Sequence, residues 1–143
     1  MPITAQDNAT LVRTIIDAYN KREFDRAANL FTPDAKTVNI AMDITFTGPA
    51  GYKDFLQNWA NAYPDSKVEI ISVAAGDEYA AVEFIGKGTN TGPFKGPQGI
   101  IPATNRKVEL KCCQVFRLQN GKVTETRHYF DSGTLLYQLG LSK

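Results

Sequence analysis

Hydrophobic residues recur at helical spacing in several stretches of the chain. Residues 7–20 and the shorter "REFDRAANLF" each place apolar side chains on one helical face. The clearest helix is "GPAGYKDFLQNWANAYP", in which Phe55 and Trp59 are one turn apart and Pro64 stops the pattern. A last helix, "SGTLLYQL", is followed by Gly140, a residue type that commonly terminates helices.

Alternating apolar and polar residues predict five strands. They are "AKTVNIAMDITF", "KVEIISVAAG", "EYAAVEFIGKG", "RKVELKCCQVFRL" and "VTETRHYFD". A Gly- and Pro-rich loop separates the third and fourth of these runs. The order of elements predicts one α+β domain over residues 1–143, in which helices cover one face of a curved antiparallel sheet. Such a bent sheet, closed by helices, forms a cone-shaped barrel around a cavity.

The dipeptide Asn120-Gly121 predicts a two-residue hairpin turn between the last two strands. If Gln119 pairs with Lys122 and no bulge intervenes, Phe116 faces Glu125. The more apolar face of this hairpin is expected to face the helices. In this register the polar residues on the inward face are Gln114, Glu125, Arg127, Tyr129 and Asp131, while Cys113 and His128 point outward.

Several of these residues have more than one interpretation. Asp131 comes directly before a predicted helix, so it is either an acid/base group in the cavity or a helix N-cap. Glu125 and Arg127 form either part of a binding site or, as we favour, a structural ion pair. For His128 opposite Cys113, a cross-strand pair on an outer face is favoured over a catalytic dyad.

The charge pattern narrows the possible functions. Sixteen basic and 15 acidic residues give a net charge of +1, which offers no field for binding nucleic acid or an anionic membrane. No segment is long and apolar enough to cross a bilayer. One histidine and two adjacent cysteines do not predict a metal site. We therefore expect a cytoplasmic domain with reduced thiols.

The outward sheet face predicts self-association. In the register above it carries Val115, Thr126 and Phe130 in its middle, with charged residues at the rim. Such a mixture suits a self-complementary patch, so we expect a homodimer that pairs through the outer sheet face.

Four longer stretches resemble a known family. They are "AYPDSKVEI", "GKGTNTGPFKG", "PATNRKVELKCCQVFRLQNGKVTE" and "YFDSGTLLYQLG". They resemble the SnoaL-like polyketide cyclases, a group that includes ester cyclases and lies within the nuclear transport factor 2-like superfamily. The resemblance extends from about residue 7 to residue 141 and implies a cone-shaped α+β barrel around an apolar cavity.

The resemblance also implies roles for individual residues. Asp131 matches the aspartate that serves as acid/base in the cyclases, which need no metal or organic cofactor. Relatives often carry histidine where this chain has Asn90, a polar residue or histidine near Asn39, and tryptophan near Arg127. An asparagine can bind an enolate oxygen by a hydrogen bond but cannot shuttle a proton at neutral pH.

Together these observations predict a cofactor-free enzyme that acts on a small apolar carbonyl compound. Asp131 is the expected acid/base. The expected substrate-binding residues are Asn90, Gln114, Arg127, Tyr129, Glu125, Asn39, Trp59 and Phe55. Two alternatives remain open, which are a non-catalytic protein that binds a small ligand and a structural dimer module.

Overall fold

Four helices and eight strands make up residues 3–141, the part of the chain described by the structure, a computed structural model. In chain order they are α1 (Ala5–Asn20), α2 (Phe24–Ala28), β1 (Phe31–Asn39), β2 (Ile44–Thr47), α3 (Gly48–Ala62), β3 (Lys67–Ala75), β4 (Tyr79–Thr89), β5 (Phe94–Gly96), β6 (Gly99–Ile101), β7 (Lys107–Gln119), β8 (Lys122–Phe130) and α4 (Ser132–Gln138). The predicted α+β class is confirmed.

Six of the strands form one curved, open sheet in the order β2-β1-β8-β7-β4-β3. All neighbouring pairs are antiparallel except β1 and β8, which run parallel. The expectation of a wholly antiparallel sheet is therefore wrong at this pair. Most of the chain separates β1 from β8, so no tight turn fixes their relative direction. The loop predicted between the third and fourth strands contains the small hairpin of β5 and β6.

Helices α1, α2 and α3 cover the concave face of the sheet and bury the main core. Helix α1 begins in a capping box, in which Thr4 accepts from the backbone of Asp7 and the Asp7 carboxylate accepts from the backbone of Thr4. Helix α3 begins at Gly48, whose φ of +73° favours glycine. A Cβ there would lie 2.7 Å from the carbonyl oxygen of Pro33.

Helix α4 closes one end of the sheet, which we call the α4 end. Leu135 and Leu139 pack there against Val108 and Leu110 of β7. Glu109 of β7 lies beyond the end of β8, so no strand pairs with its backbone on the β8 side. The side-chain amide of Gln138 binds this backbone instead, accepting from the N–H of Glu109 at 2.8 Å and donating to its carbonyl oxygen at 3.0 Å. These contacts hold α4 over the space between the helices and the sheet.

Candidate functional site

The hairpin of β7 and β8 begins as predicted and then shifts by one residue. Gln119 pairs with Lys122 and Leu118 with Val123, but Arg117 then pairs with Glu125. Thr124 is the extra residue of a β-bulge, and every later side chain of β8 therefore points to the opposite face. The prediction that His128 points outward is wrong, because Gln114 pairs with His128 on the inner face.

Glu125, Arg127 and Tyr129 lie on the outer face, which corrects their predicted place inside the cone. Arg127 Nη1 lies 2.6 Å from Glu125 Oε1, and Arg127 Nε donates to the Tyr129 hydroxyl at 3.1 Å. All three side chains are partly or largely exposed. Water solvates these charges at the surface, whereas inside the cone they would have to be paired or would cost free energy. The structural ion pair between Glu125 and Arg127 is the interpretation that the geometry supports.

His128 lies on the floor of the cone and is 5% exposed. Aromatic rings surround the imidazole, with ring centroids 5.3–5.7 Å away in Phe55, Trp59, Phe84 and Phe130. Neither Nδ1 nor Nε2 has a hydrogen-bond partner. Burial away from water lowers the pKa of His128 to about 4, so the imidazole is neutral at pH 7.

A cavity of about 90 Å³ lies between this floor and the helices, and we call it the central cavity. His128 is part of its wall, together with aromatic residues of α3 and apolar residues of β4 and β7. Phe55 and Trp59 line it as predicted, although Phe55 is buried and Trp59 only half-buried. Tyr63 also lines it, and burial raises the pKa of its hydroxyl to about 12. The wall is therefore mostly apolar and carries several aromatic rings.

Gln114 supplies a second polar group of the cavity wall, which agrees with its predicted inward orientation. Its Nε2 donates to Thr126 Oγ1 at 2.9 Å and, over a longer 3.4 Å, to the hydroxyl of Tyr52. Burial raises the pKa of Tyr52 above its usual value, so this hydroxyl keeps its proton. Because the oxygen of Tyr52 accepts from Gln114, its own O–H can donate to another partner.

The cysteine pair places one thiol on each face. Cys112 is half-buried on the inner face and lines the central cavity, and its pKa is raised to about 12 by burial. Cys113 lies on the outer face and pairs across the strands with Tyr129. The predicted pairing of Cys113 with His128 is therefore wrong, and the thiol–imidazole dyad considered for that pair has no geometric basis. The Cys112 thiol stays protonated at neutral pH and is a weak nucleophile.

Asn90 is buried, but it does not line the central cavity. Its Nδ2 donates to the carbonyl oxygens of Ala62 and Gly92 at 3.2 and 3.0 Å. Its Oδ1 accepts from the backbone N–H and the hydroxyl of Thr104, both at 2.9 Å. The side chain thus ties the end of α3 to the loop before β7. With its amide engaged in this way, it has no evident group to offer an enolate.

Asn39 is also buried outside the cavity wall, at the end of β1. Its Oδ1 accepts from the N–H of Met42 at 3.2 Å and so holds the turn into β2. In the parallel pairing of β1 and β8, Asn39 is the direct neighbour of His128. The two side chains form no hydrogen bond.

Asp131 is exposed and caps α4. Its carboxylate accepts from the N–H of Gly133 at 3.0 Å and from the hydroxyl of Thr134 at 2.8 Å. These hydrogen bonds lower the pKa of Asp131 below its usual value. The prediction that Asp131 points into the cavity is therefore wrong. The alternative interpretation, a helix N-cap, agrees with the structure.

Neither a metal cluster nor a membrane-spanning helix is found among residues 3–141. No group of three or more His, Cys, Asp and Glu side chains there could hold a metal ion. None of the helices in this part of the chain is long and apolar enough to cross a membrane.

A family model described as SnoaL-like polyketide cyclase matches residues 9–139, nearly the whole chain. This chain belongs to the SnoaL-like polyketide cyclase family. The resemblance noted in the sequence is therefore confirmed. A search among curated proteins found no significant match.

Solved structures support the same fold. A protein of Jannaschia sp. CCS1 named as a SnoaL-like polyketide cyclase has a TM-score of 0.85 at 19% identity, covering 100% of this chain and 97% of its own. AclR of Streptomyces galilaeus, named as a hydroxylase, has a TM-score of 0.80 at 21% identity, covering 97% and 88%. An epoxide hydrolase of M. tuberculosis has a TM-score of 0.68 at 18% identity, covering 95% and 88%. These neighbours share the fold of this chain, and their names refer to different reactions.

The inward histidine is the feature of this SnoaL-like site that sequence reasoning missed. The sequence contains an indication of the bulge. In a regular strand Val123 and the charged residues Glu125 and Arg127, spaced two apart, would all point to the same face. Burying Val123 without burying two charges requires one extra residue between them, which is what the bulge at Thr124 provides. The free-energy cost of burying both charges therefore predicts a bulge in this strand.

Proposed function

We propose that this SnoaL-like protein binds a small, largely apolar carbonyl compound in the central cavity and that His128 accepts a proton from it. The observation that carries the proposal is a buried imidazole whose two nitrogens have no partner. A buried unpaired polar group costs free energy, commonly about 1–3 kcal/mol. A ligand group inside the cavity would pair with it.

The corresponding reaction is a proton transfer next to a carbonyl group. The C–H bond breaks, its proton moves to a nitrogen of His128, and its electron pair forms an enolate. The hydroxyl of Tyr52, which Gln114 orients by donating to its oxygen, donates to the enolate oxygen. Return of the proton to the same or another carbon gives an exchange or an isomerisation without any change of oxidation state.

A pKa of about 4 for His128 is compatible with this role. Ketosteroid isomerase uses an aspartate base of similar basicity, about 4.6, because strong hydrogen-bond donors stabilise the enolate. Negative charge that develops on a bound enolate also favours the protonated imidazole beside it. The pKa of His128 therefore rises as the enolate forms.

The role that the family resemblance implies for Asp131 stays a prediction. Its exposure and its hydrogen bonds within α4 favour the cap over catalysis, and the geometry supports His128 better as the proton acceptor. Asp131→Asn preserves an N-cap, since asparagine and aspartate cap helices about equally well. This variant therefore separates catalysis from capping.

A ligand-binding protein without turnover is the second candidate function. In the wall of the central cavity, His128 is a base with a pKa of about 4, and the hydroxyls of Tyr52 and Tyr63 keep their protons at pH 7. The Cys112 thiol is also protonated there, and the charge of Lys87 is paired with Glu69 and Glu109 outside the cavity. A reaction that needs a separate acid and base would lack one of them. Binding alone needs only the cavity and its hydrogen-bonding groups.

Deuterium exchange tests the proposal without knowledge of the natural substrate. The purified protein is incubated with cyclopentanone in D₂O, and exchange at the carbons next to the carbonyl is followed by NMR. We expect exchange above the buffer rate, its reduction to that rate in His128→Phe, and its retention in Asp131→Asn. Equal exchange in His128→Phe would reject His128 as the base, and loss in Asp131→Asn would instead support Asp131. Saturable binding without exchange would favour the second candidate function.

We also propose a homodimer through the outer sheet face, with a corrected set of residues. Val115 and Cys113 lie on that face as expected, whereas Thr126, His128 and Phe130 belong to the inner face. Val115 pairs there with Arg127, whose neighbour on β1 is the partly exposed Val38, and Cys113 pairs with the exposed Tyr129. A stable pair commonly buries on the order of 1,600 Å² in total. Sedimentation should show twice the chain mass, reduced to one chain mass in Val115→Glu, and a monomeric wild type would reject the dimer.

A further inference from the structure

The size of the central cavity limits what it can hold. Its volume is about 90 Å³. An engineered lysozyme cavity of about 150 Å³ accommodates benzene, a molecule of six carbons. A ligand that fills the present cavity to a similar degree has about four non-hydrogen atoms, and one that packs more tightly has up to about six. A multi-ring polyketide is several times larger than this space.

Gly86 creates part of that space. It lies on β4 directly across from Leu110 of β7 and Val68 of β3, and all three residues line the cavity. A Cβ placed on Gly86 would meet no heavy atom within 4 Å. The missing side chain thus leaves open volume, and its backbone is not in the left-handed region that would itself demand glycine.

Gly88, the next glycine on the same face of β4, provides a contrast. A Cβ there would lie 3.0 Å from the Cβ atoms of both Ser66 and Tyr63. Close packing against the end of α3 explains this glycine. Gly86 has no such neighbour, so its lack of a side chain serves the cavity.

The wall also favours an uncharged ligand. Lys87 is the one wall residue of formal charge in the described part of the chain. Its Nζ lies 3.5 Å from Glu109 and 3.8 Å from Glu69, and its side chain is half exposed, so the charge is directed to the outer face. A carboxylate or phosphate in the cavity would therefore lack a counter-charge and would lose its hydration.

We propose that the central cavity selects a compact, neutral, oxygen-bearing molecule of about four to six non-hydrogen atoms, and that Gly86 sets this size limit. The inference rests on the proposed function, because it assigns a ligand class to the same cavity. The oxygen accepts from the Tyr52 hydroxyl, and the apolar part of the molecule lies against the aromatic side chains of the wall and His128. A side chain added at position 86 would occupy part of the cavity volume and so exclude the ligand.

The single histidine of the chain provides a direct test. Its imidazole gives two proton–carbon NMR signals, from Cδ2 and Cε1, and the Cε1 signal, which we call the His128 signal, reports on the cavity without assignment of other residues. The protein is titrated with acetone, cyclopentanone, acetophenone and acetonaphthone, a series of neutral ketones of increasing size. We expect saturable shifts of the His128 signal with acetone and cyclopentanone and no saturable shift with the two aromatic ketones.

Variants at position 86 make the test specific. Gly86→Val is expected to weaken cyclopentanone binding by about 100-fold, and Gly86→Ala by a smaller factor that remains measurable if the valine variant does not fold. Ala74→Val on the exposed edge strand β3 adds two methyl groups outside the cavity and is the matched control, with no change expected.

Each outcome decides a different part of the proposal. Tight binding of acetonaphthone to the wild type, or unchanged cyclopentanone binding in both Gly86 variants, would overturn the size limit and leave the proposed function standing. If none of the ketones shifts the His128 signal, both the ligand class and the proposed function are rejected.

Discussion

Two buried side chains, Asn90 and His128, show opposite ways of placing a polar group inside this protein. Asn90 is 1% exposed, and its amide is engaged by four hydrogen bonds where α3 and the loop before β7 converge. His128 is 5% exposed among aromatic rings and has no hydrogen bond. Buried polar groups in folded proteins are nearly always paired. The paired residue stabilises the fold, whereas the unpaired one costs free energy and is the residue for which we propose a function.

Loss of the Asn90 side chain is expected to have the largest effect on stability. Asn90→Ala removes four hydrogen bonds and leaves buried backbone groups without partners, so the free energy of unfolding should fall by about 3 kcal/mol. Urea denaturation measures this change. Asn39→Ala is the matched control. It removes the hydrogen bond from the N–H of Met42, and we expect the free energy of unfolding to fall by about 1 kcal/mol. A smaller loss for Asn90→Ala than for Asn39→Ala would break the comparison.

Acid is expected to destabilise the protein through His128. The pKa of His128 is lowered from 6.5 to about 4 in the folded state, so the unfolded chain binds the proton first as the pH falls. This contribution to stability is complete above about pH 6.5 and is lost progressively down to about pH 4, a total of about 3 kcal/mol. Urea denaturation at several pH values measures the slope.

His128→Phe is the control for this acid effect. Phenylalanine preserves an aromatic ring among the surrounding rings and removes two unpaired nitrogens. We therefore expect the variant to be at least as stable as the wild type at pH 7 and to lack the share of the pH dependence that comes from His128. A large loss of stability at pH 7 would show that the imidazole makes a stabilising interaction in solution.

Removal of the cap on α4 is expected to have a smaller effect. Asp131→Ala loses the hydrogen bonds to Gly133 and Thr134 and should lower the melting temperature by a few degrees. Asp131→Asn should retain most of the stability of the wild type. Thermal denaturation followed by circular dichroism distinguishes the two variants. An equal loss in both would mean that the negative charge of Asp131 matters more than the cap geometry.

Filling the space at Gly86 should have the smallest effect on stability, and it should be favourable. A Cβ at this position meets no heavy atom within 4 Å, so Gly86→Ala should stabilise the protein by about 0.5 kcal/mol by restricting the unfolded chain. Urea denaturation measures the gain. Gly88→Ala is the contrasting variant and should destabilise, because a Cβ there is crowded by Tyr63 and Ser66. Equal effects at the two positions would contradict the distinction between them.

The helices, the long strands and the family could be predicted from the sequence because they depend on periodicity and motifs along the chain. The run "AKTVNIAMDITF", predicted as one strand, instead contains the end of β1, a turn and the start of β2. Phe55, Trp59 and Gln114 were also placed correctly, since their elements contain no irregularity before them. The residues after Thr124 were placed on the wrong faces. One extra residue in a strand reverses every later side chain, and the local alternation alone does not show where it is inserted.

The position of Asn90 outside the cavity wall was not predicted for a different reason. Its position in a motif related it to a histidine of the family, but its partners come from α3 and from a loop that lie far away in sequence. Ala62 and Thr104 lie 28 and 14 residues from Asn90 along the chain and contact it only in the folded structure. Hydrogen bonds to backbone groups of distant segments leave no periodic pattern in the sequence.

The titration of the His128 imidazole by NMR tests the central claim most directly. If the side chain is buried and unpaired beside the central cavity, its signal should remain unchanged from about pH 8 to pH 5 and titrate with a pKa near 4. A midpoint near the ordinary value of 6.5 would contradict this account, because it would show that His128 is solvated or paired and that the inner face of β8 is not the wall of a functional site.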